Sequence, residues 1–530
     1  MATAKERYDS LSSARTQFLT EAEDASKLTL PYLIRGHEEY GGGMKQLPTP
    51  WQSVGAKGVV ALASKLSLAL LPPQSSFFKL QVDESQLVQD FGPEVKSELD
   101  LSFAKIERTI LDAIAASNDR VIVHQALQHL VVGGNALIFM GKQGLKLFPL
   151  NRYVIERDGN GEVIEIVTKE IINKQLIEEY LPKQDEILSA NDEGLTDLGK
   201  EECDVYTHVT RDNNRFIWHQ EVYGKILQKS ISKSPVDATP WIPLRFNTVD
   251  GEAYGRGRVG QFIGDLKSLE ALSQAIVEGS AAAAKVVFVV SPSSTTKPAT
   301  LAQAGNGAIV QGRPDDIGVV QVGKTADFQT AYELMQQLEK RLSEAFLILN
   351  VRQSERTTAE EVRMTQLELE QQLGGLFSLL TTEFLVPYLD RYLNVFQKTG
   401  EIPRIPKGLV KPTIVAGINS LGRGQDVRAL GEFLTTIAQT MGPEAIAKYI
   451  NPEEVVKRLA AAQGIDVLNL VKTQQQLQQE QQALQQQQMD QTIAEQAPNM
   501  AKAPVFDPSK NPQLAEQLAG ATEGPPPPPQ

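Results

Sequence analysis

The sequence predicts an α+β fold that is mainly helical. Three observations carry this. Long stretches place apolar residues three and four apart, the period of a helix face. Residues 132–250 switch to strand period and are punctuated by turn chemistry. Between two further long helical stretches lies a short insert of β-branched runs, Pro and Gly.

Taken in order, residues 5–40 read as helix and GGGMKQLPTPW as the loop that follows. Residues 52–71 form a helix of small and apolar residues ended by Pro72-Pro73. Lys57 and Lys65 interrupt it, and it is too short to span a bilayer, so it reads as a core helix. Residues 94–131 give more helix, with Leu101, Ile106, Ile110, Leu111 and Ile114 on its apolar face. VVGGNALIFMGKQGLKLFPL then reads as strand, with Gly133-Gly134 at the bend. DGNG between YVIER and EVIEIVTKE is a hairpin signal. Further strands over 204–248 complete a mixed body, residues 1–257.

After GEAYGRGRVG the character changes. Residues 258–285 read as one long helix with Phe262, Leu266, Leu269, Leu272 and Ile276 along it. Ala281, Ala282 and Ala284 stand near its end, small residues suited to close contact with another helix. Residues 286–327 hold three short strands joined by Pro- and Gly-rich turns, and 328–349 form a second long helix. The polar loop 350–358 follows. Thr358 with Glu361 makes a capping-box pattern for a third helix in segment 359–425, which should kink at Gly374-Gly375 and near Pro387. Residues 426–490 are helical again. Leu470, Leu477 and Leu484 supply one leucine per heptad, too thin a seam for a strong dimeric coiled coil. Residues 491–530 are disorder-like in composition and end in PPPPPQ.

Several chemistries are poorly served. The formal net charge of −13 argues against a protein that coats nucleic acid. Cys203 is the one cysteine, which leaves no intrachain disulfide and no cysteine metal cluster. The five histidines include no HExxH, and no metal or cofactor is expected. The opening residues, MATAKERYDSLSS, are polar and charged and do not read as a secretory signal, so a reducing cytoplasm is the expected place of synthesis. The sharpest enzyme-like string is GVVQVGKT at 318–325, which fits G-x-x-x-x-G-K-[ST]. A P-loop NTPase centred on Lys324 and Thr325 is therefore the alternative reading. Its context fails: GRPDDI before it is turn-like rather than a buried strand. Val319, Val320 and Val322 make the would-be loop read as strand itself.

A set of stretches, in order over roughly residues 8–465, carries a resemblance. They are TPWQSVGAKGVVALASKLSLALLP, LVVGGNALIF, DVYTH, PWIPLRF, DGEAYGRG, IGDLKSLEALSQAIV, GRPDDI, ADFQTA, TAEEVR with LEQQLGG, and GRGQD. The chain resembles the portal, or head-to-tail connector, proteins of short-tailed podoviruses of the Autographivirus type. The resemblance implies a portal fold. Residues 1–257 and about 385–425 would be the wing, 258–285 and 328–349 the stem helices, and 286–327 the clip. Residues 350–358 would be the tunnel loop and 426–490 the crown. It implies a twelve-subunit ring at one capsid vertex of the virion, conducting double-stranded DNA without reading its sequence. The implied partners are capsid and scaffolding proteins, the terminase large subunit, tail adaptor and internal core proteins, with no membrane. It also implies no nucleotide hydrolysis, because terminase supplies it. Within the loop, Val351, Arg352, Gln353, Ser354, Glu355 and Arg356 become candidates to face DNA, and Ala281, Ala282 and Ala284 candidates for contact between stems.

Overall fold

A computed structural model describes residues 2–35, 46–72, 76–82, 93–142, 144–176, 201–283, 287–293, 297–305, 317–320, 325–348, 374–403, 410–414 and 423–442, with a few single positions besides. It separates into two units, Met1–Gly422 and Arg423–Gln530.

In the first unit, helix α1 (Ala4–Lys27) starts where Thr3 and Glu6 cap each other: the Glu6 N–H reaches Thr3 Oγ1 at 3.2 Å, and the Thr3 N–H reaches Glu6 Oε2 at 2.9 Å. The expected helix over 5–40 stops at Lys27. The Thr29 hydroxyl turns back to the Ala25 carbonyl, Ser26 donates to the Leu30 carbonyl, and Pro31 cannot continue the ladder. Helix α2 (Val54–Leu70) buries Leu62, Ala63, Leu66 and Leu70. The helix expected over 94–131 is two, α3 (Pro93–Ala116) and α4 (Asp119–Gly133). At the break, Asn118 leaves the helix to bond both backbone groups of Leu145, donating to the carbonyl at 3.2 Å and accepting the N–H at 3.1 Å. Helix α4 ends at Gly134, in the left-handed region at φ 75°, as the expected bend requires.

Strand β1 (Phe78–Val82) precedes α3. After α4 come β2 (Asn135–Gly141), β3 (Gly144–Phe148), β4 (Tyr153–Arg157), β5 (Val163–Asn173), β6 (Glu202–Asp212), β7 (Arg215–Val222), β8 (Lys225–Ile226), β9 (Ser232–Pro235) and β10 (Trp241–Arg245). Every pairing is antiparallel. One sheet has the order β10-β2-β3; another runs β4-β5-β6-β7-β8, with β9 also on β7. The DGNG turn joins β4 to β5. Asp158 Oδ1 accepts the N–H groups of Asn160 and Glu162, and Gly161 sits at φ 81°.

The helix expected over 258–285 begins as a single turn, α5 (Arg258–Gln261), and restarts as α6 (Ile263–Ala283). Phe262 breaks the helical path, and its ring lies 6.0 Å from that of Phe346. Of the three strands expected in the insert, two are described: β11 (Val287–Val290) and β12 (Ile317–Val320), paired with each other. Between them Pro298–Gln303 is a short helix, α7, with proline in its first turn, where a missing N–H costs nothing. Helix α8 (Thr325–Ala345) ends four residues earlier than expected. The Leu347 N–H bonds the Glu344 carbonyl and the Ile348 N–H the Ser343 carbonyl, with Leu347 at φ 56°. This is a Schellman cap with leucine in the usual glycine place.

Residues 374–380 are helical, and the residues before Gly374, against which the expected kink at Gly374-Gly375 would be seen, lie outside the described residues. The irregularity lies at Thr381–Leu385, a π turn just before Pro387, which has no N–H to give. Helix α9 (Val386–Thr399) follows, and β13 (Val410–Ile414) pairs with β1. One contiguous core joins the second half of α1, helices α2 to α4, the β10-β2-β3 sheet, the adjoining ends of α6 and α8, and α9. In the second unit, α10 (Arg423–Met441) is described. Leu470, Leu477, Leu484 and the tail 491–530 lie outside the described residues.

Candidate assembly and channel surface

Helices α6 and α8 form an antiparallel stalk. Phe262 faces Phe346, the Arg341 guanidinium reaches Asp265 Oδ1 at 3.0 Å, and Ser273 Oγ lies 3.7 Å from Met335 Sδ. The register continues into the ribbon, where Val287 opposes Val320. Twenty-one residues in each helix give a stalk of about 31 Å. Its base is buried through Leu266, Leu269, Leu338 and Leu342. Further out the pair covers little of its own apolar surface: Val277 is 51% exposed, Tyr332 49%, Leu334 48% and Val289 50%.

The base of the stalk is clamped where α8 ends. Lys65 of α2 donates to the Leu347 carbonyl, and Arg258 donates to the Ala345 carbonyl at 3.1 Å. Burial pulls both cations below their usual pKa. They satisfy carbonyls that the helix leaves unpaired and oppose its negative end. Gly58 lets α2 lie against Phe346, since a Cβ there would stand 2.6 Å from that ring.

Stalk and body meet at a second close approach. A Cβ on Gly257 would lie 2.4 Å from the Val132 carbonyl oxygen, and one on Gly134 would lie 2.4 Å from the Arg256 carbonyl carbon. Asn135 bridges the gap, donating to the Gly133 and Gly255 carbonyls and accepting the Gly255 N–H at 2.7 Å. Beside this junction opens a cleft of about 830 Å³, lined among others by Phe18, Phe246, Gln261, Leu376 and Thr382. Arg256 on its wall is engaged by Glu252 and Glu21. Among the described residues no group of three His, Cys, Asp or Glu could hold a metal, and no helix is long and apolar enough to cross a membrane.

Of the expected site residues, Ala281 is exposed at the end of α6. Ala282 lies in the same helix, and Ala284 falls outside the described residues. Val351, Arg352, Gln353, Ser354, Glu355 and Arg356 also lie outside them. For the P-loop pattern, Gly318 is a ladder position of β12 opposite Val289, so its first glycine belongs to a strand rather than a phosphate loop. Lys324 is outside the described residues, and Thr325 opens α8.

Two polar clusters went unread in the sequence. Asp119 is fully buried, and its Oδ2 accepts the Tyr388 hydroxyl at 2.5 Å and the Tyr392 hydroxyl at 2.7 Å. Phe384, Tyr388, Tyr392 and Phe396 stack in succession, and their four-residue spacing was a legible signal for this face. Glu383, on the π turn, bonds the Arg245 guanidinium and its backbone N–H, holding the return helix to β10.

Acid should loosen the fold. Burial pulls the His129 imidazole down to about 4. Burial alone would push Glu165 up, but hydrogen bonds from His208 and Arg7, with their charges, hold it down to about 2. Both groups bind fewer protons folded than unfolded, so stability falls with pH. The His129 contribution is lost from about 6.5 down to 4, and that of Glu165 from about 4.5 down to 2. Thermal melts from pH 7 to pH 5 should show about 2 kcal/mol lost through His129. His129→Leu should flatten that part of the profile, and an unchanged slope would remove His129 from the account.

The model of the family described as bacteriophage head to tail connecting protein matches residues 1–471. The portal protein of Escherichia phage T7 is 36% identical over 489 residues, covering 90% of this chain and 89% of its own. That of Enterobacteria phage T3 is 37% identical over 486 residues, with the same coverage. That of Pseudomonas phage phiKMV is 28% identical over 499 residues, covering 91% and 95%.

Proposed function

The chain belongs to the family of bacteriophage head-to-tail connecting proteins and serves as a phage portal protein, and from that premise we propose that twelve copies close into a ring at one capsid vertex of the virion. Double-stranded DNA enters through the ring at packaging and leaves through it at ejection. The identity to portal proteins along nine-tenths of the chain carries the reading. In it, residues 1–257 and about 385–425 are the wing, 258–285 and 328–349 the stem, 286–327 the clip, 350–358 the tunnel loop and 426–490 the crown. Capsid and scaffolding proteins surround the ring. Terminase and later the tail adaptor dock on it, internal core proteins sit behind it, and the chain hydrolyses no nucleotide of its own.

The physical support is the stalk. A helix pair that leaves Val277, Tyr332 and Leu334 half exposed gains by packing beside copies of itself, and a contact between unlike patches closes into a ring when its rotation permits. Electron microscopy of the purified protein tests this: closed rings are expected, and open filaments or single subunits would refute it. Val277→Asp with Leu334→Asp should leave the subunit folded, since both positions are already wet. It should raise the concentration needed for assembly by about tenfold or more. Sedimentation measures this, and unchanged assembly would remove the stalk from the interface.

The loop 350–358 is proposed to contact the DNA. It follows a stalk whose end is held by Lys65 and Arg258. Arg352 and Arg356 can meet phosphates of either strand without reading bases. Few and weak contacts suit a conduit, because strong phosphate neutralisation would hold the DNA back. Arg352→Ala with Arg356→Ala should leave rings intact and change packaging or retention several-fold at low salt, with the difference shrinking at high salt as phosphate contacts are screened. Equal packaging and retention at both salt concentrations would make the loop a connector only.

A further inference from the structure

The chain has two Asn-Gly pairs, Asn160-Gly161 and Asn306-Gly307, and the second lies outside the described residues. The first sits in the DGNG turn between β4 and β5, where Gly159, Asn160 and Glu162 are exposed. Asn-Gly suits a tight turn, because asparagine tolerates the bend and glycine supplies the positive φ. It is also the pair in which asparagine is chemically weakest. Glycine has no side chain to shield its nitrogen, so that nitrogen can reach the preceding carboxamide.

The turn treats its two susceptible side chains differently. Asp158 also precedes a glycine, but its Oδ1 accepts the N–H groups of Asn160 at 2.9 Å and Glu162 at 2.7 Å, which pins the carboxylate. Among the described residues nothing bonds the Asn160 carboxamide, and the residue stands in water. The nitrogen that would attack it is held elsewhere: the Gly161 N–H donates to the Asp158 carbonyl at 2.9 Å. The Asp158 N–H closes the turn on the Glu162 carbonyl at 2.9 Å, and the Gly161 carbonyl accepts Arg157 Nη1 at 2.8 Å. While these bonds hold, attack is barred. The reaction waits on local opening of the turn, and the bonds to Asp158 decide how often that happens.

We propose that Asn160 is a site of spontaneous conversion to aspartate and isoaspartate, and that Asp158 sets the rate by holding the turn closed. In the open turn, base takes the Gly161 N–H proton and the nitrogen attacks Asn160 Cγ. The N–Cγ bond forms, the Cγ–Nδ2 bond breaks, and Nδ2 leaves as ammonia, carrying in net the proton that Gly161 lost. Water then opens either carbonyl of the cyclic imide, giving aspartate or isoaspartate. No electrons are exchanged, and water is the one co-reactant. Both products place a new carboxylate in the turn. Isoaspartate also lengthens the main chain by a carbon, which displaces the Gly161 carbonyl from Arg157, a residue that also holds the Pro243 carbonyl of β10 at 3.2 Å. The site is a property of the single subunit and does not depend on ring formation.

Peptide mapping of the full chain during storage at mildly alkaline pH tests this. Trypsin releases residues 158–169 as one peptide, and Asn160 is the one amide side chain in it. The mass gain of amide-to-acid exchange therefore reports that residue alone, and a methyltransferase that labels isoaspartyl carboxylates identifies the second product. The folded chain should convert there, about tenfold or more slowly than the same chain in urea, because only the open turn reacts. Asp158→Ala removes two hydrogen bonds from the closed turn and should speed conversion in the folded chain about tenfold. In urea, where there is no turn to hold, it should match the parent. Asp158→Ser keeps a shorter acceptor and should fall between the two, and it decides alone if Asp158→Ala does not fold. The proposal fails if the folded parent shows no conversion at 158–169 while the chain in urea converts. It fails equally if folded and unfolded rates are the same, or if no folded Asp158 variant converts faster than the parent.

Discussion

Gly257→Ala is expected to cost at least about 3 kcal/mol of stability, read as a lower urea midpoint with an unchanged slope. The reason is backbone against backbone. The added Cβ would stand 2.4 Å from the Val132 carbonyl oxygen, 2.8 Å from its carbon and 3.0 Å from the Gly134 nitrogen. None of these atoms belongs to a flexible side chain, so nothing can swing aside. Relief requires the 255–257 segment to lift from the end of α4, which would break the Asn135 bonds to Gly255 and strand buried polar groups. The same segment starts the stalk, so assembly should suffer with stability. Gly260→Ala is the matched control. It lies three residues on, in α5, with nothing within 4 Å of its Cβ position, and should change stability by less than about 0.5 kcal/mol. Equal effects at the two positions would show that the close approach is not what Gly257 is for.

Asp119→Ala should cost about 1–3 kcal/mol, the range for a buried hydroxyl stripped of its acceptor. Two hydrogen bonds to a carboxylate disappear together, and the fully buried Tyr388 hydroxyl keeps only the neighbouring Tyr392 hydroxyl as a polar contact. Burial, and next the Asp119 charge, hold that hydroxyl protonated, so it cannot escape the loss by ionising. Asp119→Ala with Tyr388→Phe and Tyr392→Phe should recover part of the loss, because no orphaned donor remains. Denaturant unfolding of the two variants measures the difference. If the triple variant is no more stable than the single one, the cost arises from the end of α4 and not from the tyrosines.

Much of the architecture was legible because it is decided locally. Gly133-Gly134 ending α4, the DGNG turn, the two long helices around a β insert, and the strand character of Val319 and Val320 all follow from chemistry acting within a few residues. The ordered stretches from TPWQSVGAKG to GRGQD carried the family resemblance as well. Tertiary structure decided what depends on partners distant in the chain. Asn118 splits a helix because Leu145 is there to be bonded, and α8 stops at a leucine in a glycine conformation because Lys65 and Arg258 hold its last carbonyls. Asp119 meets Tyr388 and Tyr392 across some two hundred and seventy positions of sequence. Gly257 and Gly260 look alike as letters, and only the backbone of α4 lying against one of them makes it irreplaceable. Caps and turns are short-range hydrogen-bond choices that a sequence displays, whereas steric contact and burial belong to pairs that the chain brings together only on folding.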